Sequence, residues 1–341
     1  MARPLVVYGA YGYTGELVAR RAAERGLSPV LAGRDSERLV RLSRELRCGW
    51  RAFPLSDPEA LRRGISGAGA VVHCAGPFAS TARPMAEACI GERVHYLDLT
   101  GELPVFQALL ALDEAAEKAG VMLLPGAGFD VVPSDCLAAH LVRRLPGARA
   151  LVIAIAGLDR PSRGTVRTAL EHAGAAARFR SAAPAKRTFD LGAGRVTGVA
   201  VPWADTFTAP RSTGVSDVKV YLCASLATRA LLAAAPALAP VLASRTVREA
   251  LAALITRGER GPGPEERGGR TAILGEALDA AGKRVVSIQR HPDGYALTAF
   301  AAVEIAERVL RDEARPGWQT PSTAYGPDLV LALPGVTRED L

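Results

Sequence analysis

Short apolar runs in the first part of the chain are separated by longer segments in which apolar residues recur at helical spacing. The apolar runs predict strands at Leu5–Tyr8, Pro29–Ala32, Trp50–Phe53, Ala70–Cys74, Val94–Leu97 and Val121–Leu124. The segments between them predict helices at Thr14–Glu24, Ser36–Leu46, Asp57–Arg63, Ala82–Ile90 and Leu103–Lys118. Strands that alternate with helices are typical of an α/β fold with a doubly wound parallel sheet, the Rossmann arrangement.

The pattern changes after Pro133, where strands no longer alternate strictly with helices. Strands are predicted at Leu151–Ala156, Val196–Val201 and Val218–Leu222, with a hairpin formed by Arg270–Leu278 and Lys283–Arg290. Helices are predicted at Pro133–Leu145, Thr165–His172, Ala224–Arg257 and Tyr295–Asp312, the last one followed by a tail rich in proline and glycine. This mixture predicts a second domain of the α+β class.

Length and composition fit two globular domains, since the chain has 341 residues, of which 49% are hydrophobic and 23% charged. The formal net charge of +7 rests on 38 Arg and four Lys against 35 acidic residues. The Arg residues are scattered, and no basic block contains interleaved aromatic residues. We therefore expect no nucleic-acid partner.

Cysteine usage and the apolar stretches bear on the cellular location. The five Cys are widely spaced, with no CxxC and no His at ligand spacing, so we expect no disulfide framework, no metal site and a cytoplasmic location. The first strand begins at Leu5, which leaves no room for a signal peptide. The most apolar stretch, Ala230–Ala243, is short for a membrane span and contains two prolines. It fits a buried helix pair, the wall of a hydrophobic substrate site, or a surface that contacts a membrane peripherally.

A glycine-rich segment follows the first predicted strand and opens the first predicted helix. Gly9, Gly12 and Gly15 have the spacing GxxGxxG. Glycines at such a turn let backbone N–H groups approach a pyrophosphate, and the helix N-terminus adds partial positive charge. We predict a dinucleotide site formed by Gly9, Ala10, Tyr11, Gly12, Tyr13, Thr14 and Gly15. The alternative is a glycine-rich turn without a ligand.

The end of the second strand indicates which dinucleotide binds. An NAD site has a carboxylate there for the ribose hydroxyls, whereas this chain has Arg34, with Ser36 and Arg38 close by. A guanidinium suits a 2′-phosphate, so we predict NADP as the cofactor. Asp35 is expected to cap the second helix. The alternative for Arg34 is a solvated residue at a helix start.

Three further loops follow the carboxyl ends of predicted strands, where open α/β sheets bind ligands. The loop Cys74–Phe78 fits the space under a nicotinamide ribose. In the next loop, Asp98 or Glu102 could bind a ligand hydroxyl. The alternative, above all for Glu102, is a cap of the helix that begins at Leu103. The segment Gly126–Asp135 fits a hinge and a wall of the nicotinamide pocket, or a linker with a helix cap at Ser134. The cofactor residues predicted in these loops are Ala75, Gly76, Pro77, Phe78, Gly128, Phe129 and Asp130.

Taken together, several segments resemble the saccharopine dehydrogenase-like oxidoreductases, and among them bacterial saccharopine dehydrogenase-like proteins and the trans-acting enoyl reductase group. The segments that carry this resemblance are Gly9–Gly15, Ala32–Arg34, Cys74–Phe78, Tyr96–Glu102, Gly128–Asp135, Ser162–Thr165, Val201–Asp205, Ser212–Gly214 and Gln319–Ser322. The resemblance implies cofactor contacts at Gly9, Gly12, Gly15, Arg34 and the loop Gly76–Phe78. It also implies an NADP-binding Rossmann domain, an α+β domain on a mixed sheet and a C-terminal helix that returns to the first domain.

We accordingly predict an NADP-binding domain at residues 1–128, a substrate and dimerisation domain at 129–290, and a C-terminal helix and tail at 291–341 that pack on the first domain. The expected reaction is hydride transfer between NADPH and a small-molecule substrate, which the resemblance makes a hydrophobic acyl, enoyl or carbonyl compound. The alternatives are a dehydrogenase or imine reductase acting on an amino-acid-like substrate, and a non-catalytic NADP-binding protein. We expect a homodimer.

Candidate catalytic groups lie in the second domain. The chain has no Tyr-x-x-x-Lys, which disfavours a short-chain dehydrogenase mechanism. The predicted catalytic residues are Trp203, Asp205 and Thr213, and Tyr221 is a further polar candidate. For each of them the alternative is a role in the core or in a turn.

Overall fold

The computed structural model describes residues 3–157, 185–192, 194–223 and 270–341, together with the single positions 244, 246, 247, 250, 251 and 254. The predicted helix Thr165–His172 and the apolar stretch Ala230–Ala243 lie outside these residues, as does most of Ala224–Arg257. Within the described ranges the chain forms two seven-stranded sheets. No helix in these ranges is both long enough and apolar enough to cross a bilayer.

The first sheet is parallel throughout. Its strands are β1 (Leu5–Tyr8), β2 (Val30–Gly33), β3 (Trp50–Ala52), β4 (Ala70–His73), β5 (His95–Asp98), β6 (Met122–Leu124) and β13 (Gly317–Trp318). Their order is β13-β6-β5-β4-β1-β2-β3, so the chain first builds β1 to β3 and then crosses to the other side of β1. The predicted Rossmann class is confirmed by this order.

The helices of this domain are α1 (Tyr13–Glu24), α2 (Ser36–Leu46), α3 (Pro58–Ile65), α4 (Phe78–Glu92), α5 (Leu103–Leu110) and α6 (Asp113–Ala119). Asp35 caps α2, as the sequence predicts, and Asp57 caps α3. The single helix predicted at Leu103–Lys118 is wrong, because the chain forms two helices there. Asp113 starts the second of them and accepts a hydrogen bond from the N–H of Trp318 at 2.6 Å, which joins α6 to β13.

The second sheet is mixed, as expected for an α+β domain. Its strands are β7 (Ala148–Ala156), β8 (Lys186–Asp190), β9 (Arg195–Ala200), β10 (Asp217–Cys223), β11 (Thr271–Asp279), β12 (Arg284–His291) and β14 (Thr337–Asp340). The order is β14-β12-β11-β7-β10-β9-β8, with β7 and β10 parallel and the other neighbours antiparallel. The hairpin of β11 and β12 was predicted and is confirmed.

Two helices link the sheets. The first is α7 (Val132–Arg144), which lies on one face of the second sheet, where Leu137 and Leu141 come so close to β11 that a Cβ at Gly275 would lie 2.6 Å from Leu141. The second is α8 (Asp205–Thr213), which packs between α7 and β10. The core of the molecule therefore continues from one sheet to the other through α7.

The last part of the chain contacts both sheets. Helix α9 (Gly294–Leu310) packs on α1, where the buried carboxylate of Glu307 accepts two hydrogen bonds from Arg25, at 2.8 and 2.6 Å. β13 extends the first sheet, and α10 (Pro321–Tyr325) and a 3₁₀ helix at Leu329–Ala332 follow it.

The end of the tail adds a contact that the sequence analysis does not predict. β14 pairs with β12 of the second sheet. Asp340 fixes it there by accepting hydrogen bonds from Ser287 at 2.7 Å and from His140 at 2.8 Å. The domain boundaries at residues 128 and 290 remain our proposal.

Candidate functional site

The carboxyl ends of the parallel strands meet along one edge of the first sheet. Tyr8 at the end of β1 is in register with His73 at the end of β4, and His73 is in register with Asp98 at the end of β5. The strand order reverses between β1 and β4, which makes a crevice outside these two ends. Open α/β sheets bind dinucleotides at such a switch point.

The β1–α1 turn lies at this crevice and is built from glycines. The N–H of Gly9 donates to the carbonyl oxygen of Ala32 at 2.7 Å, and a Cβ at Gly9, whose φ is +81°, would lie 2.9 Å from Ala75. A Cβ at Gly15 would collide with the carbonyl oxygen of Gly9. Gly12 precedes α1 and has no side chain to cap it. The turn thus has the form that suits a pyrophosphate at a helix N-terminus.

The β2–α2 turn carries the three residues predicted at a 2′-phosphate. Arg34 and Ser36 are exposed, whereas Arg38 is half-buried. The guanidinium of Arg38 lies 4.4 Å from the centre of the Tyr11 ring and donates to the Tyr11 carbonyl oxygen at 2.8 Å. The β2–α2 turn and the glycine turn are therefore in contact at Tyr11.

The loop after β4 is held by a carboxylate from the next βα unit. Glu102, which is buried, accepts hydrogen bonds from the N–H groups of Phe78 and Ala79, both at 3.0 Å. α4 therefore begins at Phe78, four residues before the predicted Ala82. The expectation that the side chain of Glu102 caps the helix at Leu103 is wrong, because its carboxylate caps α4 instead.

A histidine that sequence reasoning missed lies behind this loop. His73 is fully buried, and its Nε2 lies 3.0 Å from the hydroxyl of Thr81, which donates to the carbonyl oxygen of Ala75 at 2.8 Å. Burial lowers the pKa of His73 to about 3, so the ring is neutral and donates from Nε2. The only signal in the sequence is a single histidine at the end of an apolar strand.

The carboxylate of Asp98 also accepts hydrogen bonds from the backbone. One of its carboxyl oxygens accepts from the N–H groups of Thr100 and Gly126, both at 2.9 Å, and the other accepts from the Tyr96 hydroxyl at 2.7 Å. Burial raises the pKa of Asp98 to about 6, and the two backbone hydrogen bonds oppose that rise. Asp98 therefore ties the β5 and β6 loops together.

The segment after β6 joins the two domains beside the crevice. The N–H of Phe129 donates to the hydroxyl of Thr298 in α9 at 3.0 Å, and a Cβ at Gly128 would lie 2.8 Å from the same side chain. The indole N–H of Trp203 donates to the carbonyl oxygen of Asp130 at 2.9 Å. Trp203 is thus anchored at the junction of the first domain with α8.

Buried carboxyl groups are concentrated at this junction. Asp205 is fully buried, and neither of its carboxyl oxygens makes a hydrogen bond of regular geometry. Burial raises the pKa of Asp205 well above its usual range, and the neighbouring Asp135 and Asp130 raise it further, although the Ser134 hydroxyl opposes the shift. Burial also raises the pKa of the half-buried Asp130 to about 6. Burial and the neighbouring carboxyl groups therefore both favour the protonated form of Asp205.

The other predicted catalytic residues lie elsewhere. Thr213 ends α8, eight positions after Asp205 and so about 12 Å away along the helix axis. Its hydroxyl donates to the carbonyl oxygen of Ala209 at 2.5 Å. Tyr221 is buried in β10 and packs on Phe189, with ring centres 5.2 Å apart. The structure thus brings Trp203, Asp205 and Asp130 together, but not Thr213 or Tyr221.

The glycine turn at the switch point gives the first domain the form of a dinucleotide-binding domain. Residues 5–124, which run from β1 to β6, match the family model of the saccharopine dehydrogenase NADP binding domain. The predicted cofactor, NADP, is confirmed by this match, as is the resemblance to the saccharopine dehydrogenase-like oxidoreductases.

Curated relatives match a part of the chain. The chain is 34% identical over 149 residues to the trans-acting enoyl reductase of Mycobacterium leprae, which is 41% of this chain and 36% of that protein. It is 32% identical over 155 residues to the saccharopine dehydrogenase-like oxidoreductase of Bos taurus, which is 38% of this chain and 35% of that protein. The chain thus spans about a third of the length of the curated relatives it matches.

A solved structure resembles the whole chain in fold. The apo histidine-tagged saccharopine dehydrogenase (L-Glu forming) from Saccharomyces cerevisiae superposes with a TM-score of 0.64, over 99% of this chain and 100% of that one. The sequences are 12% identical, so this likeness concerns the fold alone. It agrees with a Rossmann domain followed by a domain on a mixed sheet.

Replacement of Glu102 tests the loop that it holds. We expect Glu102→Ala to lower the free energy of unfolding by about 2–3 kcal/mol, because two backbone N–H groups lose their acceptors. Glu102→Gln keeps one carbonyl oxygen and should lose about half of that amount. Urea unfolding measures both, with Glu87→Ala on the exposed face of α4 as the control. Equal losses for Glu102→Ala and Glu87→Ala would contradict this role.

Proposed function

We propose that this protein is an NADP-dependent oxidoreductase that transfers a hydride between NADPH and a hydrophobic enoyl, acyl or carbonyl substrate. The observation that carries the proposal is the β1–α1 turn at the switch point, where a Cβ at Gly15 has no room and α1 begins without a side-chain cap. That turn fits the pyrophosphate of a dinucleotide. When bound, NADPH supplies the hydride.

Each predicted cofactor residue then has a task in binding. The glycine turn offers backbone N–H groups to the pyrophosphate, and the exposed Arg34 and Ser36 offer donors to the 2′-phosphate. The loop Ala75–Phe78 faces the crevice on the side of β4 and supports the nicotinamide half. The nicotinamide half is separated from the second domain by Gly128, Phe129 and Asp130.

We propose Asp205 as the proton donor of the reaction. Its burial favours the protonated form, its oxygens make no hydrogen bond of regular geometry, and it neighbours Asp130 at the junction where the substrate would enter. Reduction of a carbon–carbon double bond adds a hydride to one carbon and a proton to the other. Asp205 would give its proton to the second carbon and become a carboxylate, which the half-buried Asp130 can reprotonate from solvent.

The junction favours an uncharged or hydrophobic substrate over an amino acid. The carboxyl groups of Asp130, Asp135 and Asp205 influence one another there, and none of the three offers a positive charge to a substrate carboxylate. The name of the mycobacterial relative, trans-acting enoyl reductase, supports an enoyl substrate. A homodimer, a cytoplasmic location and peripheral membrane contact remain predictions, as does the catalytic role of Thr213.

The cofactor proposal is tested by NADPH and NADH binding. We expect the wild type to prefer NADPH, and Arg34→Ala to weaken NADPH binding by about 10- to 100-fold while NADH binding changes by less than about twofold. Quenching of protein fluorescence measures both affinities. Arg44→Ala removes the same charge from the far end of α2 and should change neither affinity. Equal binding of both cofactors by the wild type would contradict the proposal.

The proton donor is tested by Asp205→Asn, which replaces the carboxyl group by an amide of the same shape that cannot serve as the acid. We expect unchanged NADPH affinity and a kcat lower by about 10²- to 10⁴-fold. The measurement is NADPH oxidation with a panel of 2-enoyl thioesters of different chain length. If a substrate turns over and the variant retains the wild-type kcat, Asp205 is not the donor.

A further inference from the structure

Tyr11 connects the two turns that face the phosphates of the cofactor. It belongs to the glycine turn after β1, and its ring lies flat against β2, where a Cβ at Gly33 would be only 2.6 Å from the ring carbon Cε1. Its hydroxyl accepts a hydrogen bond from the backbone N–H of Arg34 at 3.3 Å. The ring therefore occupies its place only because residue 33 has no side chain.

Arg38 closes this contact from the other side. Its guanidinium lies 4.4 Å from the centre of the Tyr11 ring, and its Nη2 donates to the Tyr11 carbonyl oxygen at 2.8 Å. The backbone N–H of Arg38 donates to the carboxylate of Asp35, so the residue is fixed at its backbone and at its guanidinium. A half-buried cation on an aromatic face that also bonds a carbonyl is a directed contact rather than a solvated charge.

Arg34 differs from Arg38 in this respect. Its side chain is exposed and makes no hydrogen bond or ion pair with another described residue. Its backbone, however, is held by Tyr11. The guanidinium of Arg34 is thus available to a ligand. The position of the Arg34 backbone, from which this side chain extends, is set by the contact between Tyr11 and Arg38.

We propose that Tyr11 and Arg38 determine the preference for NADPH by fixing Arg34 relative to the glycine turn. Arg38 is then a positioning residue for Arg34. This inference rests on the proposed function, in which the pyrophosphate lies at the glycine turn and the 2′-phosphate at the β2–α2 turn. NADPH uses both turns at once and NADH uses the first alone, so a fixed spacing between the turns favours NADPH through preorganisation.

A double-mutant cycle on cofactor binding tests this coupling. We expect Arg38→Ala and Tyr11→Leu each to weaken NADPH binding by about tenfold, and NADH binding by less than about threefold. The double variant should lose about as much NADPH affinity as the more strongly affected single variant, because either change breaks the same contact. Tyr11→Phe keeps the ring and loses the acceptor for Arg34, so its loss should be about threefold.

Titration with adenosine 2′,5′-bisphosphate and with adenosine 5′-diphosphate locates the effect. The variants should weaken binding of the first compound and spare that of the second. Arg44→Ala is the charge-matched control, and thermal melting establishes that each variant is folded. Independent losses that multiply to about a hundredfold in the double variant would show that Arg38 contacts the phosphate directly, and equal losses for NADPH and NADH would show a general structural role.

Both of those results overturn the inference and leave the proposed function intact. If the wild type binds NADPH and NADH equally, the cofactor proposal itself fails. The two failures are therefore distinguishable in one set of titrations.

Discussion

The close approach of three chain segments at the end of β1 is the constraint on which the site depends. The N–H of Gly9 reaches the carbonyl oxygen of Ala32 at 2.7 Å on one side, while on the other side a Cβ at Gly9 would lie 2.9 Å from Ala75. Such an approach is possible only because Gly9 has no side chain. It brings the ends of β1, β2 and β4 together and leaves the N-terminus of α1 open towards the crevice.

Buried carboxyl groups lie along the rest of this edge of the first sheet and at its junction with the second domain. Some of them accept backbone hydrogen bonds, and one does not. Asp98 and Glu102 accept hydrogen bonds from backbone N–H groups and hold the loops that follow β4, β5 and β6. Asp205 is equally buried but makes no hydrogen bond of regular geometry, and its burial favours the protonated form of its carboxyl group. A buried acid that lacks a good hydrogen bond lowers the free energy of unfolding. Such groups are found most often at functional sites, where the loss of stability is tolerated.

Local sequence signals predicted most of the first domain because its elements depend on neighbours in the chain. The glycine spacing, the cap at Asp35 and the six short apolar strands are all of this kind. Contacts between distant residues were not predictable. Glu102 caps a helix that begins 24 positions earlier, and Arg38 stacks on a ring 27 positions away, so no local pattern marks either contact.

The second domain and the tail were harder to predict from the sequence, for related reasons. β13 has two residues and β14 has four, which is too short for an alternating pattern, and both are set by pairing with distant strands. β8 is a mostly polar edge strand and carries no apolar signal. Asp205 stands in a polar-looking segment, and its burial follows from the packing of α8 between α7 and β10.

Hydrogen–deuterium exchange with and without cofactor tests the central claim most directly. The account predicts that NADPH slows exchange in peptides that contain Gly9–Gly15 and Arg34–Arg38, and that NADH slows exchange in the first of these segments alone. If saturating NADPH leaves both segments unchanged and protects residues elsewhere, the glycine turn is not the cofactor site and the account is wrong.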